Sequence, residues 1–135
     1  MAKKGIDIAV EIRGLPKLAR KMRDLGMNIN FELGKALYVE GEQIMGDAKQ
    51  NYVPVDKGIL RASGHVLLPQ KGPVVVMGFG GPAVPYAIVQ HEALEYKHTV
   101  GQAKYLETPA LRAAPSMGRR VGARLRKAIS KYASR

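Results

Sequence analysis

Residues 30–58 read NFELGKALYVEGEQIMGDAKQNYVPVDKG, a long helical pattern that ends in a turn. Asn30 is a residue type that favours the N-cap of a helix, and Pro54 stops the pattern because it lacks a backbone N–H. In the segment that follows, Asp56 can bond nearby backbone amides and Gly58 tolerates a positive φ. The pattern predicts a helix from Asn30 to about residue 52, with apolar residues at helical spacing: Leu33, Leu37, Ile44, Met45, Ala48 and Tyr52.

Three glycines lie inside this helical pattern, at Gly34, Gly41 and Gly46. Each destabilises a helix by about 1 kcal/mol relative to alanine, so a packing reason is expected. We expect them to allow close contact with another helix or with a neighbouring subunit. A kink in the helix is the alternative.

The chain before this helix predicts a strand and a short helix. Residues 6–12 alternate between apolar and mostly polar side chains, which is typical of a half-buried strand. Gly14 ends the strand, and Pro16 suits the first turn of a helix that carries an apolar face to Leu25. Gly26 and Asn28 are typical of the end of such a helix.

The chain after the turn predicts three further strands. Residues 60–68 and 74–79 are apolar segments separated by a short loop that contains proline and glycine, which indicates an antiparallel hairpin. Residues 86–90 indicate another strand, and the polar residues 91–101 indicate an exposed loop.

The last part of the chain is helical in pattern from about Ala103 to the end. Pro109 and Pro115 should kink or divide it, with a second helix starting near Ser116. The element order β-α-α-β-β-β-α predicts one α+β domain over residues 1–135. In that fold, the long central helix and the C-terminal helix pack on a small antiparallel sheet of about four strands.

The charge is strongly positive and unevenly distributed. Twenty-two Lys and Arg residues against eleven Asp and Glu residues give a net charge of +11. Residues 108–135 contain basic side chains and no acidic one, whereas a helix that is only solvated usually mixes both signs. One flank of the C-terminal helix is therefore expected to contact DNA or acidic partner subunits, with a merely solvated face as the alternative; its residues are Arg119, Arg120, Arg124, Lys127 and Lys131.

Other classes of protein are disfavoured by what the sequence contains. No apolar run approaches the length of a membrane span, and the N-terminus lacks the apolar stretch of a secretory signal. We therefore expect a protein that is made and used without export and does not bind membranes. The chain has no cysteine, so disulfides and thiolate metal sites are excluded.

No catalytic constellation is apparent. His91, Glu95 and His98 are spaced as metal ligands on a helix would be, but the second histidine of a zincin helix is missing. Ser63 lacks the glycine-flanked context of a hydrolase serine, and the glycines of residues 78–81 are not followed by a helix or a lysine. The sequence predicts no enzyme, no metal site and no cofactor.

Three segments carry a resemblance to a known family. Residues 53–63, VPVDKGILRAS, end a helix and resemble the "A-P-V-D-T-G-x-L-R-x-S" hallmark of the small neck, or tail-completion, proteins of long-tailed phages, with Val53 in place of the usual alanine and Lys57 in place of the usual threonine. Residues 85–92, PYAIVQHE, resemble the "Y-A-x-x-x-E" strand of that family. Residues 101–111, GQAKYLETPAL, resemble its "F-L-x-P-A-L" segment before the last helix, with Tyr105 in place of phenylalanine.

The resemblance implies a structural virion protein, a head–tail joining or minor tail component. Such a subunit forms a homo-oligomeric ring, expected at family level to be a hexamer, between the connector and the tail-tube or terminator subunits, and DNA passes through its lumen. Pro54, Asp56, Gly58 and Arg61 would then be architectural residues of the turn, with Arg61 pairing with a carboxylate of its own chain or of a neighbour. The alternative is a small basic nucleic-acid-binding protein.

Overall fold

The structure is a computed structural model, and it describes residues 5–54, 58–69, 72–80, 87–92 and 104–134 of the chain. A small three-stranded antiparallel sheet and several helices make up this part of the chain. In chain order, the elements are β1 (Gly5–Val10), α1 (Pro16–Asp24), α2 (Ile29–Asp47), a π-helical turn (Ala48–Tyr52), α3 (Ile59–Ala62), β2 (His65–Leu67), β3 (Val75–Gly80), α4 (Ala87–Glu92) and α5 (Glu107–Ala133).

Strand β3 is the centre of the sheet, with β1 on one side and β2 on the other, both antiparallel to it. Met77 pairs with Ile8 of β1 and with Val66 of β2, and Met77 is fully buried. A Cβ atom at Gly78 would lie 2.3 Å from Asp7 Oδ1 and 2.9 Å from the Ile6 carbonyl oxygen. Only glycine therefore fits at that point of the central strand.

Helix α2 lies between the sheet and α5, because it contacts β2 and β3 as well as α5. Gly41 is the residue that allows the close approach to the sheet: a Cβ atom there would lie 3.0 Å from Val66 Cγ1 and 3.2 Å from Val75 Cγ1. Gly34 lies beside Pro69, whereas Gly46 has open space around it. Within the described part of the chain, Gly41 thus lies against the sheet and Gly34 against a loop, and neither serves the expected contact with another helix; the expected contact with a neighbouring subunit stays a prediction.

The helix ends follow the sequence with small shifts. Helix α2 begins at Ile29, and its N-cap is Asn28 and not the expected Asn30; the Asn28 side chain accepts a hydrogen bond of 3.1 Å from the Phe31 N–H. Helix α1 ends as expected: Gly26 has a φ of 77°, and the next N–H, that of Met27, bonds the Met22 carbonyl at 2.9 Å.

The predicted fourth strand is wrong, because residues 87–92 form helix α4 and residue 86 lies outside the described part of the chain. Ala87 and His91 are both buried and are four residues apart, which is the spacing of one helical face. A short apolar run cannot distinguish a buried strand from a buried helix by periodicity. His91 and Glu92 were expected in an exposed loop but belong to α4. Residues 93–101, the rest of that expected loop, lie outside the described part of the chain.

The strand predicted for residues 60–68 is only partly observed. Its first residues form α3, which begins after Gly58 at a φ of 76°, and strand β2 keeps only His65–Leu67. The antiparallel pairing of β2 with β3 agrees with the predicted hairpin. The sheet is therefore smaller than expected by one strand and by most of another.

The C-terminal helix is not divided at Ser116 and runs without interruption through Glu107–Ala133. Pro109 lies in the first turn, where a missing N–H breaks no helical hydrogen bond. Pro115 lies inside the helix and cannot bond the carbonyl of Leu111, which is an exposed residue. Water can therefore replace that hydrogen bond.

Within the described ranges, no helix is long and apolar enough to cross a bilayer.

Candidate interaction surface

The turn motif after α2 is an architectural feature as far as the structure describes it. Leu60 of α3 is buried, and the Ser63 hydroxyl donates a hydrogen bond of 2.6 Å to the Leu60 carbonyl. The same hydroxyl accepts a hydrogen bond of 2.8 Å from the Gly80 N–H at the end of β3. Ser63 therefore fastens the end of α3 to the central strand. Pro54 is half-buried, and Asp56 lies outside the described residues.

Arg61, the remaining residue of this motif, has no carboxylate partner among the residues that the structure describes. Its side chain is half-buried, and its Nε atom is buried without a hydrogen-bond partner. The expected pairing of Arg61 with a carboxylate stays a prediction, since Asp56 is not described.

The other two motif segments meet at the same end of β3. The Tyr105 ring is fully buried and packs edge-on against Phe79, with ring centroids 5.1 Å apart, and against His91, at 4.9 Å. The Tyr105 hydroxyl donates a hydrogen bond of 2.7 Å to the Ala87 carbonyl. We call this cluster the β3 junction; its residues are Ser63, Phe79, Gly80, Ala87, His91 and Tyr105.

His91, considered above as a metal ligand, has both ring nitrogens in use within the chain. Its Nε2 atom accepts a hydrogen bond of 3.3 Å from the Glu107 N–H, so Nδ1 carries the proton and donates to Glu92 Oε1 at 2.8 Å. His91 thereby binds a free N–H at the start of α5. The described ranges contain no group of residues that could hold a metal ion, and Glu95 and His98 lie outside them.

A charged network covers the surface beside His91. The Lys104 ammonium bonds Glu92 and also lies 3.4 Å from Glu107 Oε2. The hydrogen bond from Lys104, followed by that from His91, lowers the pKa of Glu92, and the hydrogen bond to Glu92 raises the pKa of Lys104. The segment before α5 is thus joined to α4 both inside the protein and at its surface.

Arg120, one of the five predicted contact residues, is engaged inside the chain. Its guanidinium binds the Glu40 carboxylate of α2 through Nε and Nη2, at 2.9 Å and 2.6 Å from Oε1. Nη2 also donates to the Ala113 carbonyl at 3.1 Å. The Glu40 side chain is 1% exposed, and its hydrogen bonds raise the pKa of Arg120. Arg120 therefore neutralises a buried charge of its own chain, while 32% of its side chain remains exposed.

The other predicted cations lie at the surface, and three of them share one groove. Arg124, Lys127 and Lys131 line a groove of about 290 Å³ between α2 and α5, opposite Glu32 and Lys35 of α2. We call it the α2–α5 groove. Arg119, also exposed, is not part of its lining. The structure thus places the five predicted residues in three different environments.

The α2–α5 groove has an apolar floor, formed by buried and half-buried side chains: Ala36, Val39, Leu125 and Ala128. Arg124 is half-buried against this floor, and its Nε atom is buried with no hydrogen-bond partner among the residues that the structure describes. Lys35 forms an ion pair of 3.2 Å with Glu32 on its own helix. The charged lining therefore carries four cations and one anion, a positive excess around an apolar floor.

Sequence reasoning missed Glu40 and Lys35. The signal for Glu40 was present: it lies three residues after Leu37 and four before Ile44, so a carboxylate occupies the apolar stripe of α2. A carboxylate at such a position requires a cation, and only a basic helix could supply one. No pattern in the sequence indicates Lys35, because its role depends on how α2 and α5 cross.

Comparison of the chain with protein-family models, with curated proteins and with solved structures finds no significant match. The interpretation of its surface depends on its own residues. Two arrangements distinguish that surface. One is a junction in which hydrogen bonds and ring contacts join the three motif segments, and the other is a groove whose α5 cations form no ion pair with the described residues.

Proposed function

We propose that this chain is a structural subunit of a tailed-phage particle, a neck or tail-completion protein that joins the head connector to the tail tube. One observation supports it above the others. The three segments that resemble this family, which are separate in sequence, contribute Ser63, His91 and Tyr105 to the single β3 junction. Residues that contact each other in one structural unit are expected to occur together in the members of a family, and the resemblance depends on all three segments occurring together.

The proposed subunit functions by contact and not by chemistry. It assembles as a homo-oligomeric ring, with a hexamer as the expected form, and the ring binds connector subunits on one side and tail-tube or terminator subunits on the other. Ring closure uses two different faces of each subunit, since the contacts are heterologous. DNA passes through the lumen, and the protein resides in the neck of the virion after assembly in the host cytoplasm.

A small basic nucleic-acid-binding protein is the second candidate, and the exposed cations of α5 favour it. Arg119, Arg126, Lys127 and Lys131 are all exposed on one helix. Such a protein would bind duplex DNA as an isolated subunit, saturably, with an affinity that falls steeply as salt rises. Weak binding alone would not distinguish the two candidates, because a protein of this charge attracts any polyanion.

The test of the neck proposal is the morphology of particles made without the protein. Phage produced with its gene deleted should give filled heads and separate, unattached tails in negative-stain images. Supplying the wild-type protein should restore joined particles. Joined and infectious particles in the absence of the protein would contradict the proposal. Failure to detect the protein in purified mature virions would contradict it as well.

A matched pair of variants tests whether the β3 junction supports this function. Ser63→Ala removes the hydroxyl that bonds Gly80, whereas Ser130→Ala changes an exposed serine on α5 far along the chain from the junction. We expect Ser63→Ala to lower the yield of joined particles at elevated temperature and Ser130→Ala to leave it unchanged. Equal yields for both variants at every temperature would show that the junction is not needed.

A further inference from the structure

We infer that the α2–α5 groove binds an acidic, amphipathic helix of a partner protein. The inference rests on the proposed function for the setting of that partner, and it is more specific, since it names the chemistry of the partner and the surface that receives it. Two features of the groove carry it: the spacing of its cations and its apolar floor.

The cations of α5 in the groove form one stripe. Arg124, Lys127 and Lys131 are three and four residues apart, so they lie on one face of the helix over a length of about 10 Å. A helix lying alongside α5 can present carboxylates at the same spacing of three and four residues. The charge pattern of the groove is therefore complementary to the pattern of an acidic helix.

The apolar floor between these cations favours a partner helix that has an apolar face. Ala36, Val39, Leu125 and Ala128 offer hydrocarbon surface and no side-chain hydrogen-bonding group. With a volume of about 290 Å³, the groove has room for a few side chains but not for a whole helix. A partner helix would lie over the groove and insert apolar side chains at helical spacing, which is the usual way in which a groove binds an amphipathic helix.

A nucleic acid fits this surface less well than an acidic helix does. Proteins bind the phosphate backbone with basic side chains, with hydroxyl and amide side chains and with backbone N–H groups. The apolar floor supplies none of these side-chain donors, and burying it against phosphates would gain no hydrophobic stabilisation. Helix α5 of a second copy of this chain fits the groove less well too, because residues 108–135 contain no acidic side chain that could pair with the groove cations.

The experiment measures the binding of a synthetic helical peptide to the full chain by fluorescence anisotropy. The peptide has about 20 residues, enough to form a helix in water, with leucine on one stripe and glutamate on both sides of it. A second peptide has the same composition in an order that places leucine on no single face. We expect the amphipathic peptide to bind at least about tenfold more tightly than the scrambled one.

Two variants of equal charge assign the binding to the groove. Lys127→Glu/Lys131→Glu reverses two cations of the groove, and Arg119→Glu/Arg126→Glu reverses two cations of α5 outside it. All four side chains are exposed, so both variants should keep the circular dichroism spectrum of the wild type. We expect the groove variant to lose about tenfold or more in affinity and the control less than about threefold.

Three results would overturn the inference: equal binding of the two peptides, an equal loss in the two variants, or duplex DNA displacing the peptide at the same concentration of charge. If the groove variant failed to fold, Lys127→Ala/Lys131→Ala would replace it, with a smaller loss expected in the same direction. These results are separate from the test of the neck proposal. Unattached tails in the absence of the protein would still support that proposal if the peptide did not bind.

Discussion

The two halves of helix α5 use their charges in different ways. In the first half, Glu107 pairs with Lys104, Arg112 donates to the Tyr52 hydroxyl and Arg120 neutralises Glu40. In the second half, the basic side chains from Arg124 to Lys131 form no ion pair within the described part of the chain. The difference follows from position: the first half crosses the buried carboxylate of α2, and the second half does not. An excess of basic side chains in a helix thus indicates a binding surface only when the cations that pair with carboxylates of the same chain are left out of the count.

The largest effect is expected from removing Arg120. Arg120→Ala should lower the free energy of unfolding by about 3 kcal/mol, because it leaves the buried Glu40 carboxylate without its partner. The neighbouring change Arg119→Ala, at an exposed side chain, should alter it by no more than about 0.5 kcal/mol. Urea denaturation of both variants gives the comparison. Equal losses would mean that the two cations have the same role and that the pairing of Arg120 with Glu40 does not stabilise the fold.

A smaller effect is expected where the segment before α5 is fixed to the sheet. Tyr105→Phe keeps the ring contacts with Phe79 and His91 and removes only the hydroxyl that donates to the Ala87 carbonyl. The free energy of unfolding should fall by about 1–2 kcal/mol, since a buried acceptor loses its partner. Tyr105→Leu, which also removes the ring contacts, should be clearly less stable than Tyr105→Phe in the same denaturation experiment. Indistinguishable variants would exclude a role for the edge-on packing.

The pH dependence tests the charged network at the start of α5. Lys104 and His91 lower the pKa of Glu92 in the folded protein, so Glu92 stabilises the fold above its ordinary pKa of 4.5, and this contribution is lost as pH falls through the lowered value. For Lys104, whose pKa is raised, the contribution is complete below 10.5 and is lost as pH rises through the raised value.

Glu92→Gln should therefore melt at a lower temperature than the wild type at neutral pH, by a few degrees at most, because Glu92 is half exposed. The two melting temperatures should converge in acid, where the wild-type carboxylate is protonated as well. Calorimetry at several pH values measures this difference. A gap that widened as pH fell would contradict the assigned sign.

The smallest effect on stability is expected in the second half of α5. Lys127→Ala/Lys131→Ala removes two exposed cations that have no carboxylate partner in the described structure, so the free energy of unfolding should change by no more than about 0.5 kcal/mol. Denaturation of this variant beside Arg120→Ala sharpens the contrast between the halves. A loss as large as that of Arg120→Ala would show that the groove cations stabilise the fold.

The long helix, the C-terminal helix and the antiparallel pairing of β2 with β3 could be predicted because each depends on local pattern. The helix of residues 29–47 repeats its apolar residues over five turns, and such repetition leaves little ambiguity. Helix α4 was mistaken for a strand because its six residues are too few to show a period. The buried face of α4 packs against Tyr105, which bonds the Ala87 carbonyl and contacts the His91 ring. Tyr105 lies well beyond α4 in the sequence, so local pattern does not indicate this contact.

The candidate surface could be predicted only in part. The sequence shows that α5 is basic, but of the five cations predicted to form one flank only Arg124, Lys127 and Lys131 line the same groove. Which of them remain free depends on Glu40, eighty residues before Arg120, and hence on the packing of α2 against α5. Lys35 joins the groove for the same reason. A single sequence contains no measure of such long-range contacts.

The position of β3 in the sheet has a consequence for how the chain folds during synthesis. Strand β1 is made first, but its partner comes much later: Val10 pairs with Val75 and Gly5 with Gly80. Closing so long a loop is entropically unfavourable and slow compared with forming a helix. The N-terminal strand must therefore wait, without a partner in this sheet, until residues 75–80 have left the ribosome, and a nascent chain that stops before them cannot build the sheet.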